Sequence, residues 1–496
     1  MPRPGGPSAG PGRLRPVSVL VIDIGTSGVR AAVVRPDAVV AAVQYRQVLP
    51  STPFPGLVEF DPVQLSTTAI KLAEQVLGEA GPVDAVGIAN QRASTVVWDR
   101  TTGAPVGPGI GWQDLRTIGE CLTLQGQGIR VPPNASATKV AHLMAQVPRE
   151  RWGDLAFGTV DSWMVWALTE GRLHVTDATN AGVTALRSAD GSGWSSRLLE
   201  ALDIPSSVLP EVVDSTGIVG TATALPGAPP ICGIAGDQQA SLIGQGCVRR
   251  GQAKITFGTG GMLDACLGEA PAAFDYRGPQ GSFPIVAWQA GGHLTWGVEA
   301  MMLAAGTNVE WLRDDLGMIA DAASSEAVAA ECEDSGDVWY VPAPLGLGAP
   351  YWDFGARGAL LGLTRGSGRA QVVRAVLEGV AHRGADLVEA AEADAGVALS
   401  TLRVDGGMSA NGVFVQALAD ATQRVVEVAP IPDATTLGAA FLAGMAVGVW
   451  RDFDDVAAAW RPARVVEPRR VLDRERWRAA VERSKGWLPE LSALDF

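Results

Sequence analysis

Two copies of one short pattern constrain this chain more than anything else in it. Val17-Ser18-Val19-Leu20-Val21-Ile22-Asp23-Ile24 is an unbroken run rich in β-branched residues, as expected of a strand buried on both faces. It ends in Gly25-Thr26-Ser27-Gly28-Val29-Arg30, and a second strand, Ala31 to Val34, follows at once. About 230 residues later the pattern returns as Ala253-Lys254-Ile255-Thr256-Phe257, then Gly258-Thr259-Gly260-Gly261, then Met262 to Cys266. A strand that enters a turn of glycines and hydroxyls and leaves as a strand is a hairpin whose tip offers N–H groups to a phosphate. A Walker loop would need a Gly-Lys-Ser/Thr ending and a following helix, and has neither here. Two such hairpins, one opening each half, predict a duplicated α/β lobe with a nucleotide between the copies.

The totals agree with two lobes. A chain of 496 residues, 47% hydrophobic and 19% charged, is too long for one core and apolar enough for two. With 39 Lys and Arg against 53 Asp and Glu, the net charge of −14 argues against nucleic acid or an anionic membrane as main partner. Cysteines 121, 232, 247, 266 and 332 show no CxxC or Cys/His ligand spacing and read as reduced, mostly buried thiols of a cytoplasmic protein. Residues 1–16, rich in Gly and Pro, are expected to be a disordered tail. The longest apolar run, Thr436 to Trp450, is shorter than a membrane span and predicts a buried helix.

Between the hairpins lies Gly233-Ile234-Ala235-Gly236-Asp237-Gln238-Gln239, which enters the apolar run Ala240 to Ile243. An acid there holds its carboxylate at a helix N-terminus while glycines let a ligand approach, which makes Asp237 a candidate general base. The competing reading is that Asp237 merely caps the helix. Gly244 to Gly251 suits a hinge between lobes. Pro82 to Asn90 predicts a strand ending in Gln91-Arg92-Ala93-Ser94-Thr95, a polar cluster where open α/β sheets bind ligands. Arg92 and Trp112 suit a small hydroxylated ligand, one as a fork of donors and the other as an aromatic wall.

Other elements carry less chemistry. Asp61 to Ala80 has helical periodicity, Ser136 or Thr138 is expected to cap a helix, and so is Asp161 or Ser162. His174 to Ala181 reads as a polar loop, and the four histidines lack any ligand or catalytic pattern. Trp296 to Leu316 predicts a helix carrying Gly306 and Glu310 one turn apart. Leu402 to Asp405 predicts a strand into Gly406-Gly407-Met408-Ser409-Ala410-Asn411, where the double glycine lets an adenine or ribose lie against the backbone.

With these motifs in order, the chain resembles the FGGY carbohydrate kinases, and within them the glycerol kinase branch. The resemblance rests on DIGTSGVR at 23–30, NQR at 90–92, FGTVDSW at 157–163, GDQQ at 236–239 and FGTG at 257–260. It continues through GLGAPYWDFGARGALLGLTRG at 346–366 and VDGGMSAN at 404–411. It implies an actin-like fold: two RNase H-like lobes, 17–247 for substrate and catalytic base and 248–482 for nucleotide, around an active-site cleft. It implies ATP and Mg2+, a small polyol or sugar as substrate, and a homo-oligomer, dimer or tetramer. Carried over by position, Asp237 is the base and Gln238 a substrate ligand. Thr26, Ser27 and Arg30 form the first phosphate loop with Asp23 near the metal, and Gly258 and Thr259 form the second. Gly306, Glu310, Gly407 and Asn411 surround the nucleoside, and Arg92 and Trp112 clamp the polyol.

That clamp departs from glycerol kinases at three places. Ala93 replaces a glutamate, Asn134 a tyrosine and Met262 a phenylalanine. Loss of the glutamate is expected to leave Arg92 alone, which could redirect specificity toward xylulose, another ketose or an erythritol-type polyol. An actin-fold ATPase switch without a small acceptor is the reading from another class.

Overall fold

The computed structural model describes residues 17–430 and 433–495. The expected tail, 1–16, lies outside the described residues.

Thirteen strands form one sheet. In chain order they are β1 (Val19–Ile24), β2 (Gly28–Val34), β3 (Val40–Gln47), β4 (Ala85–Asn90), β5 (Thr216–Thr221), β6 (Pro230–Gly236), β7 (Ala253–Phe257), β8 (Gly261–Gly268), β9 (Phe283–Ala290), β10 (His293–Met302), β11 (Thr401–Asp405), β12 (Val425–Val428) and β13 (Arg464–Val466). The helices that matter here are α1 (Pro62–Ala80), α2 (Asp237–Gly244), α3 (Thr307–Asp314), α4 (Arg369–Ala395), α5 (Gly412–Thr422), α6 (Ala434–Ala446) and α7 (Arg474–Ser484).

The duplication expected from the hairpins is present strand by strand. In the first half β1, β2 and β3 form an antiparallel meander, and β4 and then β6 add in parallel beside β1, giving the order β3-β2-β1-β4-β6. In the second half β7, β8 and β10 form the meander and β11 and β12 add in parallel, giving β10-β8-β7-β11-β12. The halves join where β5 meets β9 through the single pair Thr216–Ala290. Strands β1, β4 and β7 are almost wholly buried, as their continuous apolar runs require.

The apolar run at 436–450 is α6, a buried helix packed against α2 and the backs of β4 and β6. The contact with α2 is backbone to backbone: a Cβ on Gly438 would lie 1.7 Å from the carbonyl oxygen of Ala240, and one on Gly244 would lie 1.8 Å from that of Ala434. Gly244, expected in a hinge, therefore serves close packing.

Four local expectations change. Residues 293–302 are strand β10 and not helix, and only Thr307–Asp314 of the Trp296–Leu316 stretch is helical. The polar segment after His174 is a buried strand, Val175–Asp177, and a short helix, Ala178–Gly182, capped by Asp177. Ser136 does flank the helix Ala137–Met144, but its hydroxyl donates to the carbonyl of Ala93 and caps nothing. Thr159, not Asp161 or Ser162, precedes the helix Val160–Leu168.

Candidate active site

β6 delivers Asp237 as the first residue of α2, with Gly236 in the N-cap position. Asp237 is thus the first helical residue and not the N-cap; its Oδ1 accepts from the N–H of the next residue, Gln238, at 2.8 Å. Gly236 is fixed from two sides. Its N–H donates to Thr179 Oγ1 at 2.9 Å, and a Cβ there would stand 2.7 Å from Cγ of Arg92. The segment expected as a loop at 174–181 thus holds Gly236, and with it the start of α2, in place.

Arg92 leaves the end of β4 and reaches Asp237 Oδ1 with Nε at 3.5 Å. Burial pushes the Asp237 carboxyl above the usual Asp range, while Arg92, the Gln238 N–H and Lys254 oppose and Asp264 adds to the rise. The carboxyl is still within reach of a ligand, with 30% of its side chain accessible. Nor is Arg92 alone: its Nη2 lies 2.6 Å from Glu299 Oε2, a carboxylate brought by β10 from the other half of the chain.

Gln238 accepts at Oε1 from Lys254 Nζ at 2.6 Å, so its amide N–H2 is left to donate. Lys254 is fully buried and pairs with Asp264 at 2.8 Å. Trp112 is 38% exposed, and its indole N–H donates to Thr26 Oγ1 at 3.1 Å. That bond ties the proposed clamp to the tip of the first hairpin. The backbone of the clamp is held by Lys139, fully buried, which donates to the carbonyls of Gly111, Trp112 and Asn134. Burial with few charged partners lowers the Lys139 pKa to about 7. Asn134, Glu299 and Met301 line a cavity of about 520 Å³ between the halves. Met262 sits directly across from Met301 in the β8–β10 register.

At the first hairpin, Asp23 and Arg30 are register partners across β1 and β2, and Arg30 pairs with Asp433 before α6. The Asp23 carboxyl is pushed up to about 7, chiefly by burial; Arg30 opposes, and Asp237 and Asp433 add to the rise. Thr26 and Ser27 form the tip between the strands. Among the described residues no group of three or more His, Cys, Asp or Glu forms a metal cage.

The second hairpin docks on α3, with N–H donations from Ala305 to Thr259 and from Gly306 to Gly258, each 2.8 Å. Gly258, Thr259, Gly306, Glu310, Gly407 and Asn411 all line one cavity of about 440 Å³, beside Ser325 and Glu326. The glycines do different things. Gly407 faces open space, whereas a Cβ on Gly306 would meet the Gly258 carbonyl at 2.6 Å. Asn411 spends its side chain on structure, accepting from Phe414 N–H to cap α5 and donating to Ser325.

Sequence reasoning missed Glu299, Lys254 and Lys139. The signal for Lys254 was present, a single cation inside the buried strand Ala-Lys-Ile-Thr-Phe. Glu299 had none, because its strand was read as a helix.

Two duplicated lobes with phosphate-sized hairpins and an acid at the end of a central strand define a phosphotransferase of the actin-like ATPase fold. Residues 18–244 match the N-terminal domain of the FGGY family of carbohydrate kinases, and residues 253–447 match its C-terminal domain. The chain belongs to that family. It is similar to a glycerol kinase of Aromatoleum aromaticum, 43% identical and covering 95% of this chain and 99% of that one. A glycerol kinase of Deinococcus radiodurans is 42% identical, with 95% and 98% covered. Among solved structures, a Plasmodium falciparum glycerol kinase with ADP superposes with a TM-score of 0.88 at 28% identity, over 95% and 98% of the two chains. A xylulose kinase from Rhodospirillum rubrum shares the fold, with a TM-score of 0.80 at 24% identity over 94% and 97%. The chain is thus a phosphotransferase with an alcohol group as acceptor, and the family implies ATP as donor. No helix among the described residues is long and apolar enough to cross a membrane.

Proposed function

We propose that this kinase phosphorylates a small polyol, with glycerol the first acceptor to test and Asp237 as the general base. Residues 17–247 hold the acceptor and 248–482 the nucleotide. The observation that carries this reading is the convergence on Asp237. Arg92 joins it through Glu299 to the 520 Å³ cavity, and Trp112, bonded to Thr26, joins the acceptor wall to the first phosphate hairpin.

In the reaction the acceptor oxygen attacks the γ-phosphorus, the bond to the β-phosphate oxygen breaks, and the hydroxyl proton passes to Asp237. Such transfer depends on positioning and charge neutralisation more than on covalent help from the protein. Arg92 and Gln238 orient the acceptor, and Trp112 and Met262 wall it in, with Asn134 toward the cavity. Thr26, Ser27 and Arg30 hold phosphate oxygens from one side, Gly258 and Thr259 from the other. The nucleoside lies among Gly306, Glu310, Gly407 and Asn411. The corner of Asp23, Asp237 and Asp433 sets three carboxyls beside Arg30; burial is the main cause of the raised Asp23 carboxyl, and Asp237 and Asp433 add to it. This corner fits Mg2+ held by Asp23 together with phosphate and water oxygens, and the bound ion would neutralise charge on the transferring group.

The size of the cavity, with Asn134 in its lining, and the loss of the clamp glutamate at Ala93 favour tetritols or ketoses such as xylulose as the second reading. The free thiols, four of five buried, fit a reducing cytoplasm, and a homo-oligomer is expected of the family. Asp237→Asn should abolish ADP release with every acceptor in a panel of glycerol, tetritols and pentuloses while ATP still binds. Substantial turnover by the variant would sink the base assignment.

A further inference from the structure

Glu299 and Arg92 meet across the cleft, one from each half of the chain. The Glu299 side chain is only 7% exposed, and burying a carboxylate is costly unless it is compensated. Compensation comes as a ladder. In the sheet register Lys254 stands opposite Asp264, and Asp264 opposite Glu299. The sequence Lys254–Asp264–Glu299–Arg92 therefore sets two adjacent acids between two cations. It ends at Gln238 on one side, through Lys254, and at Asp237 on the other, through Arg92.

Charge is balanced in this ladder, but hydrogen bonding is not. Beyond the ion pairs Arg92–Glu299 and Lys254–Asp264, Arg92 Nη1 and Asp264 Oδ1 are buried without a hydrogen-bond partner. Buried polar groups in folded proteins are nearly always bonded, so a purely structural ladder would be poorly built. A ligand hydroxyl is the group that suits both ends, since it accepts from a guanidinium and donates to a carboxylate at once. Space for such a ligand is present. Glu299 lines the 520 Å³ cavity with Asn134 of the first half and Met301 of its own strand, while Ile285 and Val286 add an apolar wall.

We propose that Glu299 is an acceptor-binding residue supplied by the second lobe. Its carboxylate accepts from the acceptor hydroxyl farthest from the one that reacts, and Arg92 donates to the same oxygen. The assignment rests on the kinase reading above. The acceptor class it names is a polyol or ketose whose two separated hydroxyls are read by different lobes, one at Asp237 and one at Glu299. Closure of the lobes and selection of the acceptor then become one event, because the second contact exists only when β10 faces Arg92.

The test pairs a change in the protein with a change in the ligand. Wild type and Glu299→Gln are compared on the best acceptor of the panel and on its analogue lacking the remote hydroxyl; for glycerol that analogue is propylene glycol. Glu299→Gln should lower kcat/KM for the full acceptor roughly 30- to 100-fold and change it less than about threefold for the analogue, since a bond to a charged group is lost only where the hydroxyl exists. Binding of both ligands in the presence of a nonhydrolysable ATP analogue, followed by calorimetry, should show the same selectivity where turnover is too slow to measure. Glu299→Asp keeps the charge beside Arg92 but shortens the reach, so it should show the same selectivity even if Glu299→Gln fails to fold. Equal losses for acceptor and analogue, or no loss, would overturn the assignment and leave the kinase reading standing. A wild-type protein that phosphorylates no polyol or sugar would overturn that reading first and this one with it.

Discussion

The chemistry of the site turns on how Asp237 is poised by its neighbours. Burial raises its carboxyl, and the largest opposing influence is the Arg92 guanidinium 3.5 Å away. Activity should therefore fall on the acid side at a pH above the ordinary Asp range, where the base begins to hold its proton. Removing Arg92 takes away the influence that lowers this pKa. In Arg92→Met the acid limb of kcat/KM should move to higher pH, on top of a loss of about 10²-fold or more from the missing acceptor contact. A limb that stays in place or moves down would show that Arg92 does not act on the base. At this scale the sequence was legible for placement, as for Asp237 at a helix start after glycines and Thr26 at the tip of its hairpin. It was not legible for Glu299, which lies more than two hundred residues from its partner Arg92.

Misreading of Glu299 belongs to the element that carries it. The stretch Trp296 to Leu303 is rich in Ala, Met, Leu and Glu, all good helix formers, and its local preference is helical. It is a strand because β8 and β9 pair with it on both edges, and such pairing overrides propensity. The outward neighbours of a helix would have put Glu299 at the surface; the alternation of a strand puts Val298 and Ala300 into the core and turns Glu299 and Met301 toward the cleft. By contrast α6 was legible, since its apolar run has no alternative to burial. What the run did not reveal is why it contains Gly438. A helix-interior glycine is usually improved by alanine, by about 0.5–1 kcal/mol, and exposed Gly78 of α1, with nothing within 4 Å of its missing Cβ, should behave that way. Gly438→Ala should do the reverse and destabilise by about 1–3 kcal/mol, because the backbone of α2 has to move. As α2 begins with Asp237, kcat should fall at least about tenfold too, whereas Gly78→Ala leaves it unchanged. Thermal melts and kcat of the two variants together decide the point, and a Gly438→Ala protein with wild-type stability would refute the packing argument.

For the molecule as a whole, some of the polar contacts between the two halves lie at the cleft and bear on how it closes. Arg92–Glu299 and Gln238–Lys254 close it from inside. Outside, the segment Pro489–Ser492 is anchored on the second half, where Ser492 Oγ donates to Asp353 and Leu488 N–H to the Gly355 carbonyl. From there Asp495 reaches both halves: it pairs with Arg277 of the second and with Arg130 of the first at 3.1 Å, while its carbonyl accepts from Gln125. Arg130 also lies over the Tyr276 ring at 5.9 Å, and both residues line the mouth of the 520 Å³ cavity. Asp495 is therefore a strap across residues that line this cavity, half-exposed and open to screening by salt. Pairs of this kind contribute about 0.2–1 kcal/mol each, enough to bias closure but not to drive the chemistry. Asp495→Asn should raise the acceptor KM about two- to tenfold and change kcat less than about twofold. The wild-type KM should rise with ionic strength and converge on that of the variant, whose own dependence is flatter. In solution scattering with a nonhydrolysable ATP analogue and acceptor, the variant should need more acceptor to reach the compact state. A fall in kcat at unchanged KM would place Asp495 in the catalytic step instead, and an identical salt response in both proteins would remove the strap from the account of closure.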